Sequence, residues 1–250
     1  MLQETAALDQ LIDMLGQARN QEELAKVVGE NIMSFDQRLW VRFAIRADGA
    51  NDAEKKKLSD LSRACMLLVE AMVQATEETM QGGISVLQEI LVAAADEDGE
   101  WKLPLPQSAA DSMKKAMEER ADRIDEALLA SAYASMRKAS EDGMDGVVNL
   151  VQIFLQLYAA RELSQVPPGA QPEDAFLAEA LGKAEGEWGP AVRAAAEAGE
   201  VSEVSLMEAL QRRMESTVLG LASGSYAQRV QAEYLKEFEA RAKEVFQGMV

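Results

Sequence analysis

The chain contains no histidine and a single cysteine, Cys65. Without histidine there is no Ser-His-Asp triad, no Cys-His pair and no HExxH zinc site. One cysteine excludes an intramolecular disulfide, a CxxC redox pair and a thiolate zinc cage, and it fits a reducing compartment. Long apolar runs are also missing. The most apolar stretch, Val147 to Ala160, is interrupted by Asn149, Gln152 and Gln156, so no membrane span and no membrane insertion are expected. The opening Met-Leu-Gln-Glu-Thr is no secretory signal, and Glu4 and Asp9 do not suit a transit peptide. Basic charge is scarce: 25 Lys and Arg stand against 43 Asp and Glu, a net charge of −18. Nucleic-acid binders need a basic face that releases counterions. Here the densest basic run is Lys55-Lys56-Lys57, which reads as a solvated helical face.

What the chain does have is the composition of a core-forming globular protein: 48% hydrophobic and 27% charged residues over 250 positions. Helix formers dominate, and no window alternates β-branched residues with period two. The expected fold is all-α, an irregular antiparallel bundle of about ten helices around a buried central helix at about 147–163. That helix is apolar on nearly every side, and Leu150, Val151, Phe154 and Leu157 should be buried. Two helices are expected to be long. One runs from Asn51 to about Met80, carries the stripe Leu58, Leu61, Cys65, Leu68, Met72 and Ala75, and is ended by Gly82-Gly83 before a further helix at 84–95. The other runs from Ser108 to about Lys138. Caps are expected at Asn20, at Ser34, at Asn51 with Glu54, and at Ser205 with Glu208. Trp101 should pin the loop 96–107. Pro167-Pro168-Gly169 marks 164–171 as a linker or loop between an N-terminal bundle (1–163) and C-terminal helices (172–250) packed on the same core.

Three constellations could carry chemistry. On an unbroken helix, Glu118, Asp122 and Asp125 would share a face and could hold Mg²⁺, which takes oxygen ligands. Glu141-Asp142 with Asp145 forms a second acidic group. The pair resembles the two DDxxD motifs of isoprenoid synthases, but the groups lie too close together and aromatics are too few to line a carbocation pocket. A salt-bridged surface, for example Glu119 with Arg123 at i,i+4, is the preferred reading, so no cofactor and no metal site are assigned. The line Asn149, Gln152 and Gln156 could present amides to a ligand or partner, or form the solvent edge of the core helix. Gly143-x-x-Gly146 and Gly220-x-x-x-Gly224 lack the strand context and lysine of a P-loop and read as turns. Cys65, on an apolar stripe, reads as a small buried hydrophobe.

The strings Ala121-Asp-Arg-Ile-Asp-Glu-Ala, Asp142-Gly-Met-Asp-Gly-Val-Val, Leu155-Gln-Leu-Tyr-Ala-Ala-Arg161 and Gly224-Ser-Tyr-Ala-Gln-Arg-Val, with the following Tyr234, resemble a little-characterised family of plant and green-algal chloroplast proteins, some labelled "endoribonuclease E-like". The resemblance covers the chain from about residue 35 onward and implies a protein of the chloroplast stroma. No established chemistry comes with it. The expected function is a non-enzymatic helical protein that binds other proteins as an assembly, scaffold or regulatory factor, with the partner unidentified. The alternatives are a Mg²⁺-dependent enzyme acting on a phosphorylated ligand through Glu118, Asp122 and Asp125, and a chloroplast RNA-metabolism factor.

Overall fold

A computed structural model describes residues 2–166 and 168–249, with the backbone alone described for residues 2–4. Among the described residues there are eleven α-helices and no strand. By chain contacts the protein divides into two units, residues 1–79 and 80–250. The 164–171 segment lies inside the second unit, where it joins two helices. The helices that follow this segment share a core with the helices before it.

The first unit consists of α1 (Leu2–Gln17), α2 (Gln21–Glu30), α3 (Gln37–Asp48) and the first part of α4 (Asp52–Val92). As expected, Asn20 caps α2: its side chain accepts from the Glu23 backbone N–H at 2.8 Å. Asn51 and Glu54 form their reciprocal pair at 3.0 Å in each direction. Asp36, rather than Ser34, caps α3, accepting from the N–H groups of Arg38 and Leu39. Ser34 is absorbed in a short 3-10 turn, 32–34. The small core holds Ile12, Leu15, Val28, Leu39, Phe43 and Cys65. Arg42 clamps Asp9 with two bonds of 2.7 Å, tying α3 to α1. The same guanidinium holds the Asp9 carboxyl below the usual carboxylate range.

The second unit contains the end of α4 and α5 (Gln107–Glu118), α6 (Glu126–Glu141), α7 (Asp145–Leu163), α8 (Pro172–Leu181), α9 (Glu185–Glu197), α10 (Glu203–Gly220) and α11 (Tyr226–Gln247). The helix expected at 147–163 is α7, and Leu150, Val151 and Phe154 are buried as expected, with Leu157 only partly covered. It packs against α6, α8 and α11. Across the same core, Trp188 meets the rings of Tyr234 and Phe238 edge-on, with centroids 5.0 and 5.3 Å apart. Trp188 lies in the first half of α9, and the helix continues through Pro190. Trp101 does anchor its loop: the indole N–H donates to the Leu91 carbonyl at 2.9 Å.

Both long helices differ from expectation. Gly82-Gly83 does not end a helix, because α4 continues for 41 residues to Val92. Gly83 is there for packing. A Cβ on it would lie 2.7 Å from the Ser131 hydroxyl and 3.2 Å from the Leu128 Cα, so only glycine lets α4 and α6 approach this closely. Ser131 completes the contact by donating to the Met80 carbonyl at 3.2 Å. The helix expected over 108–138 is broken in two. α5 stops at Glu118, a 3-10 turn follows at 121–123, and α6 starts afresh with Asp125 as its cap, accepting from Leu128 N–H at 2.9 Å. The start of α5 is set by Pro106, not by Ser108, and α10 starts at Ser202 capped with Ser205, not at Ser205 with Glu208.

Candidate docking groove and polar cleft

The break between α5 and α6 removes the geometry on which the acidic reading depended. Glu118 is the last residue of α5, Asp122 sits in the 3-10 turn, and Asp125 is spent as a helix cap. Three carboxylates on three elements do not share a helical face. Among the described residues no group of three or more potential ligands is placed to hold a metal ion. The nearby arginines are engaged with a different carboxylate: Arg120 and Arg123 lie 2.8 and 3.8 Å from Glu89.

The basic pair Arg212-Arg213 is similarly occupied. Arg212 pairs with Asp174 at 2.8 Å. Arg213 turns inward and donates to the carbonyls of Glu162 and Leu163, closing the C-terminal end of α7 at 3.1 and 3.0 Å. Its burial pushes its pKa down from the usual arginine value.

The first unit contains an open groove of about 1380 Å³ between α1–α2 and α4. One wall is Leu15, Gly16 and Leu24, and the other is Leu58, Leu61 and Leu68. The α4 wall is the stripe expected from the sequence, and the structure shows how little of it is covered. Cys65 is fully buried, Leu58, Leu61, Leu68 and Met72 are half-buried, and Ala75 is exposed. At the lip, Leu67 is 61% exposed. Arg19 and Lys57 face the groove from one sign, Asp13 and Asp60 from the other. Leu67 was not picked out from the sequence. It lies one residue off the stripe, and only the position of α1 and α2 reveals that it borders a groove.

The second unit holds a cleft of about 990 Å³ between α5, α7 and the turn 182–185. Asn149, Gln152 and Gln156 all line it, so the amide line on α7 is a cleft wall and not a backbone-bonded edge. Among the described residues none of the three side chains hydrogen-bonds within the protein. Glu118 reaches this cleft, while Asp122 and Asp125 do not. One turn beyond the amides is Arg161, 5.7 Å above the Tyr158 ring. Its Nε and Nη2 both donate to Glu162, at 2.9 and 2.6 Å. Its Nη1 is buried and has no hydrogen-bond partner. Arg161 closes one of the strings quoted above, but no chemistry was attached to it there; its setting depends on where Glu162 and Tyr158 hold it.

No protein-family model, curated protein or solved structure matches the chain.

Proposed function

We propose that this protein works by binding another protein, as a non-enzymatic assembly, scaffold or regulatory factor of the chloroplast stroma. The observation that carries the reading is the unfinished packing of α4. Its apolar stripe is continuous from Leu58 to Met72, yet Cys65 is the only member that the first unit buries. Leaving several leucines half in water is unfavourable, at roughly 25 cal/mol for each Å² of apolar surface left uncovered. A groove walled by helices and floored by leucines suits an amphipathic helix of a partner, which would fill it with residues spaced three and four apart. Charges of both signs at the lip suit a partner helix whose flanks are mixed in charge rather than strongly basic. The stromal setting comes from the family resemblance of the sequence.

The test is capture from stromal extract on immobilised protein, read by mass spectrometry and run in parallel with Leu67→Glu. Leu67 is largely exposed, so the substitution should leave the melting temperature unchanged while placing a carboxylate at the lip of the groove. A protein retained by the wild type and lost with Leu67→Glu supports the reading. Identical retention by both proteins, or no specific retention by either, overturns it.

A further inference from the structure

We propose that the outer face of α4, on the side away from the groove, docks a basic amphipathic helix of a partner protein. Met66, Val69, Val73 and Thr76 step by three, four and three, so they fall within about 80° of the helix surface. Ala64, Leu67 and Ala71, which line the groove, lie on the opposite side, and none of the four stripe residues lines it. The inference therefore stands apart from the groove reading. Met66 is 48% exposed and Val73 is 47% exposed, while Val69 is half-buried against the core of the first unit. Thr76 donates its hydroxyl to the Met72 carbonyl at 2.8 Å, so it needs no polar partner and adds a methyl group to the stripe. Apolar residues in a heptad pattern form the seam on which a second helix packs. Along 73–79 no other element of the first unit covers that seam, since these residues are exposed on all sides.

Charge selects the occupant. Glu70 and Glu77 directly follow Val69 and Thr76 and so flank the seam along one edge, where paired helices carry the charges that choose their partners. Both are exposed, and neither carboxylate has an ion pair or a hydrogen bond among the described residues. Their own helix offers little counter-charge, because no Lys or Arg occurs between Arg63 and Lys102. Lysine or arginine on the flank of an incoming helix would supply the missing partners and would be drawn in by a chain of net charge −18. A second copy of this chain would bring the same net charge and no basic residue along the seam beyond Arg63, so a cationic partner is favoured. An anionic membrane surface would be repelled by the same carboxylates.

The probe is a dye-labelled peptide of about 15 residues, built of leucine and lysine with the leucines spaced three and four apart. The full-length protein is titrated into it and binding is followed by fluorescence anisotropy. Saturable micromolar binding is expected, weakening about fivefold between about 50 and 300 mM salt. A peptide of the same composition with no apolar face should bind about fivefold more weakly. Val73→Lys removes an apolar contact and adds a cation in the middle of the seam, and should weaken binding about tenfold. Glu77→Gln should weaken it about threefold. Both positions are exposed, so neither variant should change the melting temperature. Leu67→Glu, at the lip of the groove, should not weaken binding. Equal affinity of the peptide without an apolar face, wild-type affinity in Val73→Lys, or loss of binding in Leu67→Glu overturns the proposal, the last by placing the peptide in the groove. A dimer in sedimentation that Val73→Lys dissociates also overturns it, in favour of a second copy on this face.

Discussion

Cys65 is the one nucleophilic side chain of its kind and the structure makes it inert. It is fully buried, and burial pushes its thiol up to about 11. The thiolate is the reactive form, so at pH 8 the folded protein should react with a disulfide reagent such as DTNB roughly 100-fold more slowly than the unfolded chain. The shift also has a stability consequence. The folded state holds its thiol proton more tightly than the unfolded state, so this contribution is fully present below about pH 8.5 and is lost as pH rises towards 11. Complete DTNB reaction of the native protein within minutes would show that residue 65 is not enclosed. Phe154 tests the other core. It is fully buried on α7, and Phe154→Ala should cost roughly 3–5 kcal/mol, because the cavity it leaves cannot collapse among close-packed neighbours. A loss below about 1 kcal/mol in chemical denaturation would mean that α7 does not hold the second unit together.

Helices and their apolar faces are local properties, and most of them could be read along the chain. Propensity and period located α7, the Asn20 and Asn51 caps and the stripe on α4. The errors fell where a residue type has two meanings. Glycine pairs usually stop helices, but Gly83 is buried against α6, and its purpose depends on a helix more than 40 residues away. The sequence 118–126 has enough helix formers to read as continuous, yet Asp125 gains more as a cap for Leu128 than as an interior residue. With that break went the shared face of Glu118, Asp122 and Asp125. The amide line at 149–156 was legible as a line, but its role as a cleft wall depends on α5 and the 182–185 turn, which no local pattern could bring to it. The glycine pair supplies a matched experiment. Nothing lies within 4 Å of a Cβ at Gly82, so Gly82→Ala should stabilise the protein by about 0.5–1 kcal/mol through helix propensity. Gly83→Ala gains the same propensity and should still destabilise, by roughly 1–3 kcal/mol, because α4 and α6 are forced apart. Thermal melts of the two variants moving in the same direction would contradict the close approach.

For the molecule as a whole, charge is the dominant variable. A chain at −18 attracts RNA only through a local basic patch, and the Debye length of about 8 Å at physiological salt sets how far the unfavourable field extends. Of the basic pairs, Arg212 and Arg213 are committed to Asp174 and to the end of α7. Few phosphates can be neutralised together, so single-stranded RNA should show no sub-micromolar affinity at about 150 mM salt and should not be cleaved. Fluorescence anisotropy with a labelled transcript fragment checks this, and saturation at nanomolar protein would refute it.

The long α4 has one further consequence. Residues 73–79 are exposed on every side, so this stretch has no tertiary cover and rests on its own backbone hydrogen bonds. Helices owe most of their stability to packing, and uncovered turns open at little cost. Proteases act on such opened segments, and the residues present decide which protease can use it. Trypsin finds no Lys or Arg between Arg63 and Lys102, whereas a glutamate-specific protease finds Glu77 and Glu78 within the bare turns. Under limited digestion the glutamate-specific enzyme should make its first cut there, while trypsin leaves the same region intact; first cuts by the glutamate-specific enzyme within α7 or α11 would show that these turns are shielded.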